Sequence, residues 1–151
     1  MRTISEGGQA QTELQPFVHQ QTILLHTRKR DGSWVGTPVS IAVQADRAYI
    51  RTYAEAGKTK RLRNFPEVQF SPATFRGRPT GPTVHARARL LAGNEAGIAA
   101  RLLRRKYPLL HGFLVPLAHR LMRTSTLHYE LSDVLPGLSE PNPEQAPPRT
   151  L

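Results

Sequence analysis

The chain alternates short apolar, β-branched runs with polar, turn-forming stretches, which predicts strands with occasional helices. Residues 22–28, TILLHTR, predict a first strand. Asp31-Gly32 predicts a hairpin turn, because that dipeptide accepts positive φ. Residues 34–43 form the returning strand, with Val39, Ile41 and Val43 on one face. Pro38 interrupts that run and belongs at an edge or bulge, since proline donates nothing to a ladder. A second turn at Ala45-Asp46 leads to a third strand, 47–52, where Ala48 and Ile50 alternate with Tyr49 and Arg51. These three strands make a meander.

Helical spacing enters next. Residues 55–64 predict a short helix stopped near Pro66, followed by a fourth strand at 68–71 and a turn-rich stretch at 75–82. In the fifth strand, 83–91, Val84, Ala86, Ala88 and Leu90 share one face; His85, Arg87 and Arg89 share the other. The small alanines suit the tight interior of a small barrel. Asn94 is the expected N-cap of a helix at 95–107 with Ile98, Ala99, Leu102 and Leu103 as its apolar stripe. Beyond Pro108, Leu110, Phe113, Leu114, Leu117 and Leu121 keep helical spacing, and Pro116 should kink or split that helix. Leu127, Tyr129 and Leu131 alternate in a last strand at 124–133. About six strands with two or three helices between them indicate an α+β barrel rather than a doubly wound sheet.

The two ends lack such patterns. Residues 1–16 are polar and predict a flexible segment, and residues 136–151 hold five of the thirteen prolines and predict a tail. One domain at 17–135 remains, in keeping with a total of 151 residues. No run approaches the roughly 18 apolar residues of a membrane span, and the first residues carry no signal-type apolar stretch. There are no cysteines, which excludes disulfide scaffolds, thiolate metal sites and cysteine nucleophiles. A cytoplasmic protein is the expectation.

Charge changes the picture. The net charge is +10, carried by 17 arginines and four lysines. It is not uniform: residues 1–46 sum to zero, 47–89 to +8, 90–123 to +5 and 124–151 to −3. An anionic partner facing the middle of the chain follows. Candidate chemistry narrows it. No dinucleotide fingerprint, phosphate-cradling Walker loop or nucleophile elbow is present. The six histidines have no metal-ligand spacing, so no metal is expected. The segment RTYAEAGKTKRLR, 51–63, is different. A strand ends at Arg51-Thr52, and a loop delivers Gly57 and Lys58 to a helix start that also carries Lys60 and Arg61. Backbone donors and the positive end of the helix dipole coincide there with three cations, which makes a phosphate site. Arg51 and the Thr52 hydroxyl could close it from the strand side.

Five runs in order, TILLHTRKRDGSWVGTPVSIAV, RAYIRT, AGKTKRLRNFPEVQFSPATFRGRPTG, ARARLL and RLLRRKYPL, resemble the pyridoxamine 5'-phosphate oxidase-like split-barrel superfamily. More narrowly, they are similar to its PPOX-class branch dependent on the deazaflavin coenzyme F420. The resemblance spans roughly residues 17–134. It implies a six-stranded antiparallel split β-barrel of the FMN-binding type with flanking helices. It also implies a homodimer with cofactor sites at the interface. Thr37, Pro38 and Val39 would lie along the flavin-like ring, and Arg51, Thr52, Lys58, Lys60 and Arg61 would hold the phosphate and acidic tail. The sequence departs from the family pattern at Phe65, which separates Asn64 from Pro66, at Pro72-Ala73 in place of a cysteine, and at His26 in place of a small hydroxyl residue. The activity implied is an oxidoreductase passing hydride from reduced F420 to a small organic substrate, with no dedicated catalytic residue singled out. Two alternatives stand beside it: an FMN-binding oxidase or reductase of the same fold, and a non-enzymatic basic module that binds a cofactor or nucleic acid. The second has few aromatics for base stacking beyond Trp34 and Phe75.

Overall fold

The computed structural model describes residues 2–53, 57–106 and 126–137, with exposure described from residue 8 onward. Helix α1 spans Arg2–Leu14 and runs into a 3-10 turn at Gln15–Phe17. The strands are β1 (Thr22–Arg28), β2 (Trp34–Gln44), β3 (Arg47–Tyr53), β4 (Glu67–Ala73), β5 (Val84–Leu90) and β6 (Thr126–Pro136). Helix α2 (Gly57–Asn64) follows β3, and α3 (Gly93–Lys106) follows β5. The six strands close into an antiparallel barrel in the order β1-β2-β3-β6-β5-β4. The expected α+β, six-stranded barrel is therefore the observed architecture.

Turn chemistry sets the meander. Gly32 takes φ 90° in the β1–β2 hairpin. The Asp31 carboxylate accepts from the Ser33 amide at 2.9 Å and from its hydroxyl at 2.6 Å. Ala45 turns the chain between β2 and β3 at φ 56°. Inside the barrel, Ile23, Leu25, Ile41, Ile50, Val68, Phe70 and Leu131 are fully buried. Phe17 seats its ring 4.9 Å from that of Phe70. Ala48, Ala86 and Ala88 are buried among them, the small residues a narrow barrel requires.

Several expectations are corrected. Residues 2–14, read as flexible, form α1, because Ala10, Leu14 and Phe17 recur at helical spacing and are buried against the barrel. The last strand runs past Asp133: Pro136 pairs with Val84, and the Gly137 amide donates to the Thr83 carbonyl. The barrel therefore extends two residues beyond the expected boundary at 135. Helix α3 begins at Gly93, which places Asn94 inside it. Ile98 is exposed, and Ala99 and Leu103 are the buried pair, since α3 meets β2, β3 and β6 along a narrow line. Leu90 shares the face of Ala88 yet is half exposed, because it stands at the barrel's end. The helix expected across 108–121, with its kink at Pro116, lies outside the described residues, as does Tyr107.

One irregularity positions the site. Strands β2 and β3 pair only over Ile41–Gln44 and Arg47–Ile50. Beyond that point β2 pairs with β1 alone, from Trp34 to Ser40, while β3 goes on pairing with β6 up to Tyr53. The barrel wall opens between them. Pro38 lies in this one-sided stretch, where its missing donor breaks no second ladder.

Candidate functional site

Side-chain alternation decides which residues face the opening. On β2, Thr37 and Val39 share the inner face with Ile41, while Pro38 is exposed on the outer face. The ring of Pro38 lies beneath Gly77 of the β4–β5 connection, where a Cβ would sit 3.6 Å from it. On β3, Thr52 faces inward with Ala48 and Ile50. Its hydroxyl oxygen is buried and has no hydrogen-bond partner among the described residues. Arg51 faces the other way: it stands opposite His128 on β6 and beside Arg104 of α3. Thr52 and Arg51 are thus on opposite faces of one strand, and only Thr52 is brought to the inner side.

Helix α2 is tied down at both strands' ends. The Thr59 hydroxyl donates to the Tyr53 carbonyl at 2.8 Å, fixing the first turn to the end of β3. Arg61 Nε donates to the Thr27 hydroxyl on β1 at 2.6 Å. Thr59 and Leu62 are buried, Lys58 and Arg61 are half-buried, and Lys60 and Arg63 are exposed. Gly57 makes room for this arrangement: a Cβ there would lie 2.9 Å from Nη1 of Arg61, whose guanidinium folds back over the first turn. Burial, and then the charge of Arg61, hold the Lys58 ammonium below the usual lysine range. Among the described residues no carboxylate pairs with Lys58. A half-buried cation facing a second cation at a helix N-terminus, where amide donors are unsatisfied, is a place for an anion.

The structure also sorts the positive charge of the middle segment. Glu130 of β6 is 4% exposed and takes Arg47 at 3.0 Å and Arg89 at 3.3 Å. Arg89 reaches Glu95 of α3 at 2.7 Å, and Arg87 pairs with Glu67 at 3.3 Å. Three arginines of the +8 segment are therefore engaged in holding strands together. Lys58, Lys60, Arg61 and Arg63 are the cations that α2 carries.

Sequence reasoning missed Thr27, Thr59 and Glu130. Thr27 has no local signal, because its role depends on the register that brings β1 under α2. Glu130 does have one: a single acid inside the strand LHYEL, flanked in space by an arginine-rich strand. Among the described residues no cluster of three metal-ligating side chains occurs, and no helix is long and apolar enough to cross a membrane.

No protein-family model and no curated protein matches the sequence. Solved structures do match in fold. The haem storage protein HutZ from Vibrio cholerae superposes with a TM-score of 0.60 at 12% identity, covering 87% of this chain and 92% of that one. A protein assigned as a pyridoxamine 5'-phosphate oxidase, from Listeria innocua, gives 0.53 at 14% identity over 84% and 94%. An F420 reductase gives 0.51 at 10% identity over 82% and 92%.

Proposed function

This chain has the split-barrel fold of the pyridoxamine 5'-phosphate oxidase-like proteins, and on that fold we propose a cytoplasmic oxidoreductase that works as a homodimer. It would bind coenzyme F420 at the β2–β3 opening and reduce a small organic substrate. The observation that carries this reading is Lys58. It is a half-buried cation without a carboxylate partner among the described residues, set beside Arg61 on the first turn of α2. The buried Thr52 hydroxyl, with no partner among the described residues, fits the same anionic guest. The deazaflavin would supply the hydride chemistry.

The chain's own residues do the binding. Lys58, Arg61 and the first amides of α2 hold the phosphate, and Thr52 donates from the strand side. Thr37 and Val39 offer the one-sided backbone of β2 to the polar edge of a ring, and Pro38 stiffens that stretch. Lys60, exposed two residues beyond Lys58, would meet a carboxylate-bearing tail. A row of cations along α2 suits a cofactor with several negative groups better than one with a single phosphate, which ranks FMN second. Arg51, on the outer face beside α3, would join only through a second subunit.

The test is titration of the purified full chain with F420, FMN and haem in separate experiments, followed by absorbance. F420 should saturate, and Lys58→Ala, which breaks none of the bonds that hold α2, should weaken it by about tenfold or more at unchanged melting temperature. Unchanged affinity in that variant, or saturation by haem alone, overturns the reading.

A further inference from the structure

Helix α2 seals the barrel unevenly. Towards β1 the Arg61–Thr27 bond closes it, but towards β5 and β6 a cavity of about 150 Å³ opens under the helix. Leu62 from α2, Ala88 and Leu90 from β5 and Leu127 from β6 make its walls apolar. Thr59, Tyr129 and Arg63 supply the polar lining. Leu90 is half exposed at the rim, an apolar side chain left in water beside an apolar hollow.

The polar groups are not equivalent. The Thr59 hydroxyl spends its proton on the Tyr53 carbonyl. The Tyr129 phenol lies against Thr59 and near Arg63, and burial pushes it up, so it stays a neutral hydroxyl. Arg63 is exposed and makes no ion pair among the described residues. The polar end of the cavity thus carries one positive fork and no acid, and the rest of its wall is hydrocarbon. Its size also restricts the guest: a dry protein cavity of about 150 Å³ accommodates benzene.

From this geometry we propose a second binding site, separate from the Lys58–Arg61 cations, for a small carboxylate with a compact apolar body. An aromatic acid or a short branched acyl acid has the right class of shape. Its ring or branch replaces water against Leu62, Ala88, Leu90 and Leu127, and its carboxylate meets the Arg63 guanidinium in a bidentate pair. The site needs no cofactor, so it stands or falls independently of the oxidoreductase reading.

Sodium benzoate is the probe, titrated into the full chain and followed by amide chemical shifts. Saturation with Kd of order 1 mM is expected for so small a ligand. The shifts should centre on Leu62, Ala88 and Leu127. Benzyl alcohol, of similar shape and no charge, should bind about tenfold more weakly. Arg63→Met should remove that difference, and Ala88→Leu, which fills the cavity, should abolish binding of both. Arg63 is exposed, so its variant carries the test even if Ala88→Leu does not fold. Shifts confined to Lys58 and Arg61, a preference for benzoate that survives Arg63→Met, or no saturation at all would each overturn the proposal.

Discussion

Arg61 of α2 donates through Nε to the fully buried hydroxyl of Thr27 on β1, at 2.6 Å. The bond joins residues from separate parts of the chain and sets how α2 lies over the barrel opening. Leu62 and the Thr59–Tyr53 bond hold the same helix at other points. The cations that make the opening attractive to an anion are oriented by a neutral hydroxyl.

Thr27→Val isolates that bond, because it keeps the shape and removes the acceptor. A loss of about 1–3 kcal/mol is expected, the cost of leaving a half-buried donor unsatisfied. Urea denaturation should show it as a lower midpoint at unchanged slope. An unshifted midpoint would mean that water takes the place of Thr27.

Glu130 holds Arg47 and Arg89 from a nearly buried position, so Glu130→Gln leaves two guanidinium groups facing a neutral amide. The variant should lose about 1–3 kcal/mol in chemical denaturation, less than a fully buried pair because both arginines are half exposed. If the network is shared, Arg89→Ala combined with Glu130→Gln should cost less than the two single losses added together, which a double-mutant cycle reads directly.

The outer arm of that network titrates. The bond from Arg89, and then its charge, hold Glu95 below the usual carboxylate range. A depressed folded-state value means stability that is full above the ordinary glutamate range and is lost as pH falls through the lowered one. Glu95→Gln should therefore lower the melting temperature at neutral pH, only slightly because the pair is exposed, and converge with the parent as pH falls through the lowered range.

Lys106, the last residue of α3, donates to the carbonyls of Gln20 at 2.6 Å, Ile41 at 2.9 Å and Phe17 at 3.3 Å. Burial lowers its ammonium to about 8. The slope has the same sign as for Glu95, because both folded-state values are depressed. The folded state releases the proton before the unfolded one, so stability rises with pH between about 8 and the ordinary lysine range. That rise should be present in the parent and absent in Lys106→Met, compared by urea midpoints across the same pH series.

Gly137 closes β6 on the β4–β5 connection: a Cβ there would run into the Thr83 carbonyl. Backbone cannot yield as a side-chain tip can, so Gly137→Ala should lower stability by about 1–3 kcal/mol through overpacking. Amide exchange should quicken at Val84 and Leu135 first. Exchange unchanged at those positions would show that the end of the barrel wall is not held there.

Much of this fold is legible along the chain because its elements are specified locally. Asp31-Gly32 dictates a hairpin whatever surrounds it. The alternation of Val84, Ala86 and Ala88 fixes which face of β5 is inside. The cluster Gly57, Lys58, Lys60, Arg61 announces a charged helix start. Helix α1 was harder to read, since two small or lone apolar residues among glutamines bury only because a barrel stands beside them. The charge count was informative about place but not about use: Arg47, Arg87 and Arg89 look like ligand cations until their acidic neighbours on other strands are seen.

By itself, then, the sequence determined the strands, their turns, the inward faces and the basic helix, all of which depend on residues within a few positions of one another. Tertiary structure alone decided the rest. It opened the wall between β2 and β3, turned Arg51 and Thr52 to opposite sides, spent three arginines on Glu67, Glu95 and Glu130, and set Arg61 on Thr27. The physical reason is register: pairing between distant strands chooses which side chains meet, and no local pattern encodes that choice.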